Sequence, residues 1–89
     1  MERREVYYSG RVQGVGFRYT ARAVAKAFGV SGYVRNLADG RVQLVVEGTA
    51  EEIDRFLAAI DKQMGHYVRH VQQSVSPATG AFKGFEIRF

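Results

Sequence analysis

Nine residues, Gly10-Arg11-Val12-Gln13-Gly14-Val15-Gly16-Phe17-Arg18, combine residue types and a spacing that could do chemistry. They run out of a strand-like segment into a helix-like one. Gly14 and Gly16 fall where the backbone must turn, and Arg18 falls in the first helical turn. Backbone N–H groups at such a turn can converge on one point, and a helix start adds unpaired donors and a positive dipole end. That is an anion cradle, and a planar guanidinium beside it suits a phosphoryl group. An arginine at a helix start is mismatched with the dipole, which a bound anion would explain. On residues alone, a glycine-rich connection that only turns the chain explains the loop equally well. Gly-x-x-x-x-Gly-Lys-Ser/Thr is absent, and Gly14-x-Gly16 is followed by Phe17-Arg18-Tyr19 with no third glycine, so neither a Walker loop nor a dinucleotide fingerprint is present.

Asn36 closes the run Gly32-Tyr33-Val34-Arg35-Asn36. Asparagine before a hairpin is commonly a turn residue. Its neutral amide can also donate, accept and hold a water in a fixed orientation. Other chemistry is sparse. His66 and His70 lie at the start of a strand, where an i, i+4 spacing does not bring two rings together as ligands, and they read as surface residues. Glu51, Glu52 and Asp54 suit the first turn of a helix. No carboxylate metal cluster is legible. With no cysteine there is no thiolate nucleophile and no disulfide.

The elements that must position these residues follow from periodicity. Glu5–Val12 alternates, with Val6, Tyr8 and Val12 on one side, and reads as a strand. Ala21, Val24, Ala25 and Phe28 recur at helical spacing, with Gly29 as a C-terminal stop. Ser31–Leu37 and Arg41–Gly48 are strands around Asp39-Gly40, a hairpin signal, with Val42, Leu44 and Val46 on one face. Thr49-Ala50-Glu51-Glu52 is a capping box that opens a helix with the stripe Ile53, Phe56, Leu57, Ile60 and Met64, ended by Gly65. A strand at about Tyr67–Val75, a turn from Pro77 to Gly80 and a last strand Phe82–Phe89 complete the order. Phe85, Ile87 and Phe89 share one face of that last strand. The pattern βαββαβ plus a closing strand predicts an α+β fold, a ferredoxin-like split βαβ sandwich. Two helices would cover one face of a mostly antiparallel five-stranded sheet.

Eighty-nine residues, 46% apolar and 25% charged, predict one domain over residues 1–89 with one modest core. The net charge of +4 comes from scattered basic residues with no run longer than Arg3-Arg4, which argues against an extended nucleic-acid footprint. The strand Arg41–Glu47 also lacks the stacking aromatics of an RNA-recognition module. No apolar run approaches the ~18 residues of a membrane span. The start, Met1-Glu2-Arg3-Arg4-Glu5, lacks a signal-peptide pattern, so a cytoplasmic location is expected.

At this point the chain resembles the acylphosphatase family. Gly10 to Arg18 is similar to the family's first signature almost residue for residue, and Gly32-Tyr33-Val34-Arg35-Asn36 to its second. Asp39-Gly40, Val45-Val46-Glu47-Gly48 and Thr79-Gly80 to Gly84–Phe89 are similar in kind and order. Two departures are visible. Met64-Gly65-His66-Tyr67 stands where many members have a glycine-proline-rich turn, in a region away from the signatures. Tyr33 replaces a common tryptophan. The resemblance implies that Arg18 and the backbone of Gln13, Gly14, Val15, Gly16, Phe17 and Arg18 bind a phosphoryl group, and that Asn36 orients the attacking water. It implies a monomer that hydrolyses small acyl phosphates to a carboxylate and inorganic phosphate, without cofactor, metal, nucleic-acid or membrane partner. A non-enzymatic anion- or nucleic-acid-binding module on the same scaffold is the alternative.

Overall fold

Val42, Leu44 and Val46 set the architecture, because a strand buried this completely must sit inside a sheet. The computed structural model describes residues 1–89. Its elements are β1 (Glu2–Gly10), α1 (Phe17–Ala25), β2 (Ser31–Asn36), β3 (Val42–Gly48), α2 (Ala50–Met64), β4 (Val68–Pro77) and β5 (Phe85–Arg88). A 3-10 turn over Gly65–Tyr67 leads into β4. The strand order is β4-β1-β3-β2-β5, so β3 lies at the centre and every residue of it is buried. Two split βαβ units interlock: β1 and β2 flank β3, while β3 and β4 flank β1. The sheet is mixed, because β5 pairs with β2 in parallel while the other three pairings are antiparallel.

On one face, Val6, Tyr8, Val34, Leu44 and Val46 form a core with Phe17, Ala21 and Val24 of α1 and Ile53, Phe56 and Ile60 of α2. At about 25 cal/mol per Å² of apolar surface, this layer is the main source of stability. On the other face, alternation turns Gln43, Val45 and Glu47 away from the helices, and they are buried too. Arg35 Nε donates to Gln43 Oε1 at 2.7 Å, and Gln43 Nε2 donates to the Tyr7 hydroxyl at 3.1 Å. The Phe82 ring packs edge-on against Tyr33 at 5.7 Å, under the Arg88 guanidinium. No helix is long and apolar enough to cross a membrane.

Several boundaries differ from the periodicity reading for physical reasons. β1 starts at Glu2, since its charged opening residues pair with both β3 and β4. It stops at Gly10, where the β4 register shifts and φ is +126°. α1 ends at Ala25 rather than running to Phe28, and the N–H groups of Lys26, Ala27 and Phe28 bond back three residues. Gly29 therefore does not cap it in the left-handed conformation. The Thr49 hydroxyl caps Glu52 N–H as the capping box requires, but the Glu52 carboxylate caps Gly29 N–H at 2.9 Å instead of returning to Thr49. Leu57 is half-buried rather than in the stripe's fully buried part. β5 covers only Phe85–Arg88, and Phe89 is 89% exposed beyond it.

Candidate active site

The loop between β1 and α1 is shaped by its glycines. Gly14 has φ +76° and Gly16 φ +81°, with Val15 between them at negative φ. Turns built on left-handed residues of this kind can aim successive N–H groups at one concavity. Gly16 is also the N-cap of α1, with no side-chain cap and no acidic residue in the first turn. The first helical bond runs from Thr20 N–H to the Gly16 carbonyl at 3.0 Å. The backbone N–H groups from Gly14 to Tyr19 thus find no acceptor in the protein. Unpaired donors and the helix dipole both favour an anion here.

The loop is anchored at both ends. Val12 and Phe17 are buried, and Phe17 packs on Tyr8 with ring centroids 4.8 Å apart. Arg11 N–H donates to the Tyr67 carbonyl at 2.9 Å. The Met64–Tyr67 turn, expected to lie away from the signatures, thus touches the entry to the loop, because the 3-10 turn before β4 packs against the end of β1. Arg18 is half-buried, pairs with no carboxylate, and lies under the Phe89 ring at 4.8 Å.

Asn36 is the last residue of β2 and shares a face with Gly32 and Val34, the side that carries α1. Its Oδ1 is buried and accepts no hydrogen bond from the protein. A buried acceptor without a partner costs about 1–3 kcal/mol, and proteins rarely keep one without use. A pocket of about 150 Å³ brings these groups together, lined by Val12, Gly14, Gly16, Phe17, Arg18, Tyr19 and Asn36. Gln13 and Val15, also read as phosphate-binding, do not line it. The Gln13 side chain points to the β2–β3 turn, where Nε2 donates to the carbonyls of Leu37 at 2.8 Å and Arg41 at 3.0 Å.

Sequence reasoning missed Val12, Tyr19 and Phe89. Tyr19 is signalled only by its place beside Arg18 in the first turn. Alternation assigns Phe89 to the inner face, but the sheet ends one residue earlier. His66 and His70 are exposed, and no group of three or more His, Asp or Glu residues is assembled to hold a metal.

Comparison with known proteins decides the family. The acylphosphatase family model matches residues 4–87. This chain belongs to the acylphosphatase family. Members of the family are hydrolases. The chain is 47% identical over 88 residues to an acylphosphatase of Rubrobacter xylanophilus, covering 98% of this chain and 80% of that one. It is 43% identical to one from Roseiflexus sp., covering 98% and 95%. The crystal structure of the Bacillus subtilis acylphosphatase superposes with a TM-score of 0.89 at 29% identity, covering 100% of both chains. The family's mixed sheet with two helices is the fold described above.

Proposed function

We propose that residues 1–89 act as one catalytic domain that hydrolyses acyl phosphates to a carboxylate and inorganic phosphate. The phosphoryl group sits in the loop, held by the N–H groups of Gly14 to Arg18 and by the Arg18 guanidinium. The Asn36 carboxamide holds a water by a hydrogen bond and aims its oxygen at phosphorus. The water oxygen bonds to phosphorus as the bond to the acyl oxygen breaks. The carboxylate leaves, and the water's proton passes to a phosphoryl oxygen.

Phosphoryl transfer of this kind is largely positioning and charge stabilisation. The leaving carboxylate has a conjugate acid with pKa near ~4, so no general acid or metal is required to expel it. The observation that carries the reading is the shared pocket, lined by Asn36, whose buried oxygen has no partner in the protein, by the unpaired Arg18 and by the glycine turn with its free N–H groups. Its volume of about 150 Å³ is well below the ~300 Å³ of ordinary ligand clefts. It suits the phosphoryl end and leaves the acyl group outside, so selectivity for the acyl part is loose.

The reading is of a monomer in the cytoplasm with small anionic substrates and no nucleic-acid or membrane partner. The test is ultraviolet detection of benzoyl phosphate cleavage in excess chelator, with inorganic phosphate as competitor. Steady cleavage inhibited competitively by phosphate is the expected result. Salt-dependent RNA binding with no cleavage would replace this reading with the binding-module alternative.

A further inference from the structure

The two halves of the site come from separate parts of the fold. The anion loop follows β1, and Asn36 ends β2. We infer that Gln13 is a positioning residue that holds these halves in register, so that the water on Asn36 lines up with a phosphoryl group in the loop. The inference rests on the hydrolysis proposed above.

The geometry is specific. Gln13 is half-buried, and both protons of its Nε2 are engaged by backbone carbonyls, those of Leu37 and Arg41. Leu37 is the residue after Asn36. The same two residues close the β2–β3 turn, where Leu37 N–H donates to the Arg41 carbonyl at 2.8 Å. Gln13 thus grips the base of the turn across both strands. Two carbonyl acceptors also fix which end of the amide is nitrogen. No other hydrogen bond joins the loop to this turn.

Apart from the sheet, in which Val42 pairs with both Tyr8 and Asn36, each half has its own anchors. The loop has Val12 and Phe17 in the core, Arg11 bonded to Tyr67, and its own left-handed glycines. The turn is tied internally by Asp39, which accepts from Arg41 N at 3.1 Å and Nε at 2.8 Å. Loss of the Gln13 bonds therefore leaves an intact cradle and an intact turn whose mutual placement rests on the sheet pairing at Val42 alone. Misplacement by about 1 Å can lower a rate by as much as ~100-fold. The side chain is committed to this brace and does not itself take the phosphoryl group.

Gln13→Glu keeps the shape but sets a carboxylate against two carbonyl oxygens, and Gln13→Ala removes the contact. Both are expected to lower kcat for benzoyl phosphate by about 10- to 100-fold while the inhibition constant of inorganic phosphate stays within about twofold. In an Asn36→Ala background, Gln13→Ala should change kcat by less than about twofold, because the water is no longer held. The side-chain amide signals of Asn36 in a nitrogen–proton spectrum should shift in both single variants. Each of the following results overturns the inference. A phosphate inhibition constant raised in step with the loss of kcat would make Gln13 a ligand. A fall in Tm with kcat unchanged would make it a structural contact only. Equal, multiplicative losses in the double variant would sever it from Asn36. If the wild type fails to cleave benzoyl phosphate, the hydrolysis reading falls. The spectrum and phosphate titration still decide the brace, which unmoved Asn36 signals would refute.

Discussion

Truncating Arg18 removes the only guanidinium that lines the pocket, and with it, in the proposed mechanism, the charge stabilisation that would grow as the phosphorus–oxygen bond breaks. Arg18→Ala is expected to lower kcat for benzoyl phosphate by about 1,000-fold or more and to weaken phosphate competition. Unchanged competition would contradict the cradle. Asn36 contributes differently. Its oxygen is buried without a protein partner, so Asn36→Ala removes an unmet acceptor rather than a contact within the fold. The expected outcome is a loss of about 100-fold in kcat with phosphate inhibition retained and no loss of Tm. An inhibition constant that rises together with the kcat loss would move Asn36 into the anion site. The sequence singled out both pocket residues, Arg18 from its mismatch with the helix dipole and Asn36, whose amide alone reads as a turn residue, through the resemblance of Gly32 to Asn36 to the family's second signature. The partner of Gln13 was not legible, because a glutamine beside glycines looks like part of the cradle until the β2–β3 turn is folded against it.

The loop–helix junction depends on backbone conformation more than on side chains. A Cβ on Gly16 would meet nothing within 4 Å, yet φ is +81° there. Gly16→Ala therefore costs only the left-handed penalty of about 1–2 kcal/mol, with no steric term. A lower urea midpoint and a weaker phosphate inhibition are expected together, because relaxing φ turns the N–H groups away from their common focus. A stability loss with unchanged inhibition would mean that the anion does not use this turn. Element order and type followed from periodicity, since alternation in β3 and the stripe of α2 are set by the core. Boundaries did not. Glu2, Arg3 and Arg4 carry no apolar alternation, yet they extend β1 because Arg4 is held by Glu2 at 2.7 Å and by Asp54 of α2. Phe82 looks like a strand residue and is instead a loop residue packed edge-on against Tyr33, a placement that depends on the far side of the sheet.

The molecule has two poles joined by the sheet, and the proposed site occupies only one. β2 ends at Asn36 in the pocket and begins at Ser31 opposite Glu47, roughly 16 Å away by strand rise. At that far pole the Glu47 carboxylate, 4% exposed, accepts from Thr79 N at 3.0 Å, Thr79 Oγ1 at 2.7 Å and Gly80 N at 2.9 Å, and pairs with Arg3 at 3.4 Å. It ties the β4–β5 connection to the central strand. Burial pushes its pKa up, but the hydrogen bonds from Thr79, Gly80 and Arg3 more than reverse this, so the carboxyl lies below its ordinary value of 4.5. A depressed pKa means that folding favours the charged form. The stabilisation is complete at pH well above 4.5 and shrinks as pH falls from 4.5 through the lower folded value. Glu47→Gln is accordingly expected to cost about 1.5–3 kcal/mol at pH 7 in urea unfolding, with the gap from wild type closing as the solution is acidified through that range. Turnover of the folded variant at pH 7 should match wild type, since no atom of the pocket touches this pole. A gap of constant size across the acid range would show that Glu47 works through its shape, and a parallel loss of kcat would show that the two poles are coupled.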